Sequence, residues 1–142
     1  MNDAVDRRVR ASFGCQSLMR SIEAELFEAT PGRCRIGAPI PDWARQQHGA
    51  AHGGLTFALG DTAAGYAALT LLPEGREVMT AEMKINLMSP AVGDRLCATG
   101  EVVRSGRRLT VVRAQIEVLR DDTATTVAVL QGTMIAVDPP AG

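Results

Sequence analysis

The sequence has few residues of the kinds that build disulfide frameworks. It contains three cysteines in 142 residues, an odd number at scattered positions: Cys15, Cys34 and Cys97. A disulfide-stapled domain carries an even number of cysteines, and a cysteine-based zinc site carries close pairs of them. We therefore expect neither a disulfide framework nor a cysteine-based metal site.

Histidine is equally scarce, since only His48 and His52 are present. Their spacing of four residues would place both on one face of a helix, where two imidazoles can bind zinc. Glycines at positions 49, 53 and 54 disfavour a helix across this stretch. We therefore predict no metal ion, and nothing in the sequence calls for a cofactor.

The chain also lacks a strong charge of either sign and an apolar amino-terminal segment. A formal net charge of -1 gives no general attraction to nucleic acid or to a membrane surface. Residues 3–10 are largely charged and contain no apolar run of the kind that a signal peptide requires. The sequence predicts a cytoplasmic protein with no nucleic-acid or membrane partner.

Hydrophobic residues are abundant, at 46% of the chain, and predict a sizeable core in a single domain over residues 1–142. The most apolar stretch predicts a central helix at about 53–72, which Pro73 ends. A helix without a polar face belongs in a core. Its aspartate, its glycines and its lack of basic flanks argue against a membrane span. A shorter amphipathic pattern predicts a helix at about 3–14.

Asp61 is the only charged residue of the predicted central helix. A carboxylate is costly to bury without partners, and aspartate is a poor residue for the middle of a helix. One interpretation is structural: Asp61 lies at a solvated edge or bonds a nearby backbone group. The other is catalytic: its surroundings prepare the carboxylate to act as base or nucleophile.

The residues just before the helix favour the catalytic interpretation. His52 is followed by Gly53 and Gly54, where free backbone N–H groups and the positive end of the helix dipole can polarise an oxygen. Glycine at this place also lets a ligand approach closely. A donor and a carboxylate two turns apart are plausible components for acyl transfer.

The rest of the chain predicts strands. Two short strands precede the helix, at about 22–27 and 33–40, and about four longer ones follow it, at about 80–87, 96–104, 112–118 and 125–137. In the first long strand, Ala81 and Met83 alternate with Thr80 and Glu82, so Thr80 is expected on the opposite face from Met83. Trp43, in the loop before the helix, is expected to cap the core. An antiparallel sheet wrapped around one long central apolar helix is the α+β arrangement called the hotdog fold.

Three segments of the sequence carry a resemblance to a known family. They are His52-Gly53-Gly54 with Asp61 nine residues after the histidine, the strand from Thr80 to Pro90, and the basic turn from Arg104 to Arg108. Together they resemble the hotdog-fold acyl-CoA thioesterases of the phenylacetate-degradation (PaaI-like) type, over residues 13–137. The resemblance implies hydrolysis of an acyl- or aryl-coenzyme A to the free acid and coenzyme A.

The resemblance also implies roles for individual residues. Asp61 corresponds to the carboxylate that acts as nucleophile or as general base toward water. Gly53 corresponds to the glycine whose N–H polarises the thioester carbonyl, and Thr80 to the residue that orients the attacking group. Gln46 falls where the family has an Asn or Gln that positions the thioester or the water. His52 either takes a direct part in the chemistry or only braces its loop.

Four further residues are expected to bind substrate. Gly54 permits close approach at the helix start. Arg104, Arg107 and Arg108 are either a solvated hairpin tip or a site for the phosphates of coenzyme A, since a guanidinium group matches phosphate geometry.

In the family the site is shared between subunits, with Gln46, His52 and Gly53 facing Asp61 and Thr80 of the partner subunit. We therefore expect a homodimer that forms a dimer of dimers. The phenylacetate-type members usually pair Asp with Asn, and the aryl-CoA branch pairs Glu with Gln, whereas this sequence pairs Asp61 with Gln46. The acyl group therefore stays open. The alternatives are a non-catalytic hotdog module that binds acyl-CoA and a hotdog dehydratase, whose chemistry fits the carboxylate and histidine less well.

Overall fold

In the computed structural model, which describes residues 3–141, one antiparallel sheet wraps around one long helix. The helices are α1 (Asp3–Gly14), α2 (Ser17–Ser21) and α3 (Gly53–Leu69). The strands are β1 (Glu25–Thr30), β2 (Arg33–Pro39), β3 (Glu77–Leu87), β4 (Arg95–Ser105), β5 (Leu109–Arg120) and β6 (Thr123–Val137). The strand order is β1-β2-β4-β5-β6-β3, with every neighbouring pair antiparallel. The predicted α+β hotdog fold is confirmed.

Small residues let α3 approach the sheet very closely. Ala63 and Ala64 are fully buried, and a Cβ added at Gly100 of β4 would lie 2.4 Å from the backbone of Ala63. A Cβ at Gly60 would lie 2.7 Å from the side chain of Leu130 in β6. The helix backbone and the sheet are therefore in direct contact. No helix within residues 3–141 is long and apolar enough to cross a membrane.

The central helix ends at Leu69, three residues before the predicted end at residue 72. The N–H groups of Leu71 and Leu72 donate to carbonyls three residues earlier, so the last turn tightens beyond α-helical geometry. The hydroxyl of Thr70 donates to the Ala67 carbonyl at 2.6 Å and accepts from the Gly32 N–H at 2.7 Å. These bonds tie the end of α3 to the turn between β1 and β2.

A β-bulge in β3 corrects the predicted alternation of that strand. Thr80 pairs with Met134 and Glu82 pairs with Thr133, so Ala81 is the extra, unpaired residue. A bulge inserts one residue and shifts the side-chain alternation by one. Val78 before the bulge and Met83 after it both pack against the core. Thr80 consequently faces α3, whereas strict alternation predicted the opposite face.

Two further expectations are wrong. The first strand begins at Glu25 rather than at residue 22, because Ile22 is buried directly after the short helix α2. Trp43 does not cap the core, since its side chain is 68% exposed while the adjacent Ala44 is buried. A 3-10 turn at Asp42–Ala44 rotates the alanine inward and the tryptophan outward.

Candidate active site

Asp61 lies on α3, partly buried, and faces a cavity of about 410 Å³ between α3, α2 and β3. The hydroxyl of Thr80 donates to Asp61 Oδ1 at 2.8 Å. Within residues 3–141 the other oxygen, Oδ2, makes no hydrogen bond. The carboxylate is thus held by one side chain, and one oxygen is left for a proton or a carbon atom.

The walls of this cavity are mainly apolar. Phe57, Ala58 and Val78 line it beside the Asp61–Thr80 pair. An apolar cavity with a few convergent polar groups is the usual form of a small-molecule site. The bulge at Ala81 matters here, because it is what brings the Thr80 hydroxyl to the helix face of the sheet.

His52 caps the amino terminus of α3. Its Nδ1 accepts the N–H of Gly54 at 2.8 Å, and the backbone of His52 is extended. A Cβ at Gly54 would lie 3.0 Å from His52 Nδ1, so glycine makes room for the imidazole ring. The Gly54 N–H is therefore already engaged, whereas the N–H of Gly53 has no hydrogen-bond acceptor among the described residues.

Gln46 lies in a tight turn directly before His52. The Gly49 N–H donates to the Gln46 carbonyl at 3.0 Å, and Gly49 has a φ of +90°, which favours glycine. The side-chain oxygen of Gln46 accepts the N–H of His48. The amide nitrogen of Gln46 makes no hydrogen bond to a described residue, which leaves it as the group that can donate to a ligand.

Gln46 and Gly53 line a second cavity of about 350 Å³, next to Thr56 and to residues 87–91. Asp61 and Thr80 do not line it. Gly53 and Asp61 are eight residues apart on one helix, which separates them by about 12 Å along its axis. One chain therefore holds two half-sites: a carboxylate with its threonine, and a free N–H with a glutamine amide.

Arg104, Arg107 and Arg108 lie on and beside the exposed hairpin between β4 and β5. None of the three forms an ion pair with a residue in the described range. Ser105 at the hairpin aligns through Thr110 and Met134 with Thr80. Three strand spacings, about 14 Å, separate the hairpin from Thr80. The arginines thus lie at the same end of the sheet as Asp61, outside contact with it.

The other reactive side chains do not converge on either cavity. Within residues 3–141 there is no cluster of three His, Cys, Asp or Glu side chains that could hold a metal ion. Burial, with the nearby charge of Glu28, raises the pKa of the Cys34 thiol to about 12, so the nucleophilic thiolate is suppressed. Cys15 is exposed and Cys97 is buried.

The sequence analysis assigned Asp61 and Thr80 to a site but none of the other residues that line the Asp61 cavity. Gln16 and Leu18 reach it from the start of α2. A five-residue helix is too short to show a 3.6-residue period, so no pattern in the sequence marks these positions.

Comparison with known proteins identifies the family of the chain. The family profile of the thioesterase superfamily matches residues 48–125, more than half of the chain. A "Putative esterase" of Deinococcus radiodurans is 32% identical over 110 residues, which cover 77% of this chain and 71% of that protein.

Solved structures show the same fold over nearly the whole chain. A thioesterase family protein from Silicibacter pomeroyi is 36% identical and has a TM-score of 0.93, covering 95% of this chain and 99% of that one. The PaaI protein from the phenylacetic acid degradation operon of E. coli has a TM-score of 0.83 at 22% identity, over 94% and 93% of the two chains. At that identity the second likeness is one of fold.

Proposed function

The chain belongs to the thioesterase superfamily, as its resemblance to the hotdog thioesterases of the PaaI-like type indicated, and we propose that it hydrolyses the thioester of an acyl- or aryl-coenzyme A. Asp61 is the nucleophile or general base, and the Gly53 N–H polarises the carbonyl. The observation that carries the proposal is the free N–H of Gly53 at the positive end of α3, combined with a carboxylate that faces an apolar cavity.

The proposed site needs two chains, because the two half-sites of one chain are too far apart. A carbonyl oxygen that accepts the Gly53 N–H lies about 3 Å from that nitrogen. Asp61 of the same chain is about 12 Å farther along the helix axis. A second copy can supply the missing half to each site.

The geometry of β3 supports such a pairing. Within residues 3–141, β3 is an edge strand that pairs with β6 alone, and it carries exposed apolar side chains at Met79 and Leu87. Unpaired edges of this kind favour pairing with another strand. One end of β3 touches Asp61 through Thr80, and the other end touches Gly53 through Leu87. Antiparallel pairing of two β3 strands about a two-fold axis would bring Asp61 toward the partner subunit's Gly53.

The proposed mechanism follows from where charge develops. Attack on the thioester carbon places negative charge on the carbonyl oxygen, and the Gly53 N–H is directed at that oxygen. Asp61 either attacks this carbon itself, so that the C–S bond breaks, coenzyme A leaves as its thiolate and water then opens the resulting anhydride, or it removes a proton from water that attacks the carbon. In the second case the tetrahedral intermediate breaks its C–S bond, and the departing thiolate takes up a proton to give free coenzyme A. In both cases the hydrogen bond from Thr80 fixes one carboxylate oxygen and leaves the other to react. The amide of Gln46 can donate to the thioester or to the water.

The position of the arginine turn suits the charged end of the substrate. Coenzyme A carries phosphates, and Arg107 and Arg108 are cations without an ion-pair partner in the described chain, at the Asp61 end of the sheet. An arginine side chain can bind a phosphate group in bidentate geometry, with two parallel N–H···O hydrogen bonds.

A thiol-release assay tests the proposal. Purified protein is mixed with a panel of acyl- and aryl-CoA esters, and free coenzyme A is measured with a thiol reagent. We expect release that is saturable and specific to some acyl groups. Binding of these esters by a folded dimer without thiol release would contradict the proposal and would favour a non-catalytic binding module.

A further inference from the structure

Two cavities lie side by side along α3, and Leu18 forms part of the wall of both. The cavity with Asp61 measures about 410 Å³. The neighbouring Trp43 cavity, of about 300 Å³, lies toward the amino end of α3 and is lined by Ile22, Trp43 and Leu55. Among the described residues, Leu18 from α2 and Ala58 from α3 are the two that line both cavities. The boundary between the two cavities therefore lies at these two residues.

The Trp43 cavity has a mainly apolar lining, which also includes Arg45 and His52, and the chain itself does not fill it. Ile22 and Leu55 are buried and form its floor, while Trp43 is 68% and Leu18 is 47% exposed at its rim. Large apolar side chains exposed around a concave surface favour an apolar ligand. An apolar ligand in this cavity would contact Trp43, which gives its outward-pointing side chain a role in binding.

Leu18 is held in place by hydrogen bonds on both sides of α2. The side-chain amide of Gln16 donates to the Tyr66 hydroxyl at 2.8 Å, and Ser12 bonds the same hydroxyl at 3.0 Å. Burial raises the pKa of the Tyr66 phenol, against the effect of these two bonds, so the hydroxyl stays neutral. Arg20 donates to the Gly14 carbonyl at 2.8 Å. The turn that carries Leu18 is therefore anchored to α3 and α1.

We propose that the acyl group of the substrate runs from Asp61, between Leu18 and Ala58, into the Trp43 cavity, so that Leu18 sets the accepted chain length. The inference rests on the proposed thioesterase function and adds a substrate class, straight-chain acyl groups of medium length. Such a chain is apolar throughout and matches the mainly apolar walls of both cavities.

The spacing along α3 gives the lengths. Ala58 is three residues from Asp61, about 4.5 Å along the helix, and Gly54 is seven residues away, about 10 Å. An extended chain advances about 1.2 Å per bond. An acyl chain therefore meets Leu18 after about four carbons and fills the Trp43 cavity at about eight carbons.

The test is the chain-length profile of Leu18→Trp and Leu18→Ala. The ratio kcat/KM is measured for straight-chain acyl-CoA esters of roughly two to twelve carbons. Burial of one methylene contributes about fourfold to such a ratio. Leu18→Trp should therefore lower kcat/KM at least about tenfold for the eight-carbon ester, and less than about threefold for esters of four carbons or fewer. Leu18→Ala should weaken the preference among the longer esters.

Leu71 provides the matched control, because it is 40% exposed and lines neither cavity. Leu71→Trp and Leu71→Ala should keep the wild-type profile. Profiles of both Leu18 variants that parallel the wild type would overturn the length-setting role while thiol release by the wild type still supports the thioesterase. A wild-type protein that releases no thiol from any ester would instead overturn the thioesterase and the length-setting role together.

Discussion

Replacing Gly53 with proline should remove one hydrogen-bond donor and leave α3 intact. Gly53 is the first residue of α3, where proline is well tolerated because that N–H has no partner inside the helix. The preceding His52 has φ -60° and ψ 138°, which is the extended geometry that a following proline requires. Loss of one donor to an oxyanion lowers kcat about a hundred- to a thousandfold.

Gly53→Ala is the matched control for this change. A Cβ at this position would lie 2.9 Å from the end of the Leu87 side chain, which can move. Alanine and proline both introduce this contact, but alanine keeps the N–H. Thermal melts of both variants should therefore agree within a few degrees, and Gly53→Ala should keep kcat within about tenfold of the wild type.

Mixing Gly53→Pro with Asp61→Asn then tests whether the site is shared. If each site takes its N–H from one chain and its carboxylate from the other, a mixed dimer has one site with both lesions and one with neither. Random exchange makes about half of the dimers mixed, so activity should return to about a quarter of the wild type. The measurement is thiol release after subunit exchange, with the mixed dimers quantified by mass.

The result that would refute this reasoning is exchange without recovery. If mass measurement shows mixed dimers and activity stays at the level of the two parents, each chain uses its own Gly53 and Asp61. The separation of about 12 Å along α3 would then have to be closed by a rearrangement of the chain.

Three other changes test separate parts of the structure. Thr80→Val removes a hydrogen bond to a partly exposed carboxylate, so kcat/KM should fall about five- to thirtyfold without a change in the melting temperature, and a smaller fall would assign the threonine no positioning role. Gly100→Ala places a Cβ 2.4 Å from the backbone of α3, so urea denaturation should show a loss of about 3 kcal/mol or more in the free energy of unfolding. Gly14→Ala should be neutral or slightly stabilising, because its added Cβ would meet no described atom within 4 Å outside its own helix and chain neighbours. Arg107→Ala with Arg108→Ala should raise KM for CoA esters and weaken its dependence on salt, and an unchanged KM would leave the turn as a solvated hairpin tip.

The fold could be predicted because its main elements have strong patterns. The stretch from Gly53 is apolar on every side, so it belonged in a core whatever surrounded it. The long alternating segments after Pro73 predicted an antiparallel sheet, which was the one element able to bury this helix. The predictions that failed concern local features. The bulge at Ala81 and the five-residue helix α2 leave no periodic signal in the sequence. Trp43 points outward because of a short 3-10 turn.

The candidate site also combines features that the sequence predicted with features that only the structure shows. Residue types and the resemblance selected Asp61 and Gly53, but only the structure shows that the two residues line different cavities. The contact between Thr80 and Asp61 contradicts simple alternation and follows only from the bulge. The capping bond from Gly54 to His52, which leaves Gly53 as the free donor, is likewise a matter of backbone geometry.

The most direct test of the central claim is thiol release by Asp61→Asn at saturating substrate. Asparagine keeps the shape of the side chain and can still accept the Thr80 hydrogen bond, but it is neither base nor nucleophile. We expect kcat to fall about a hundred- to ten-thousandfold while circular dichroism and ester binding, measured by calorimetry, stay as in the wild type. Thiol release within a few-fold of the wild type would contradict the assignment of Asp61 as the catalytic carboxylate.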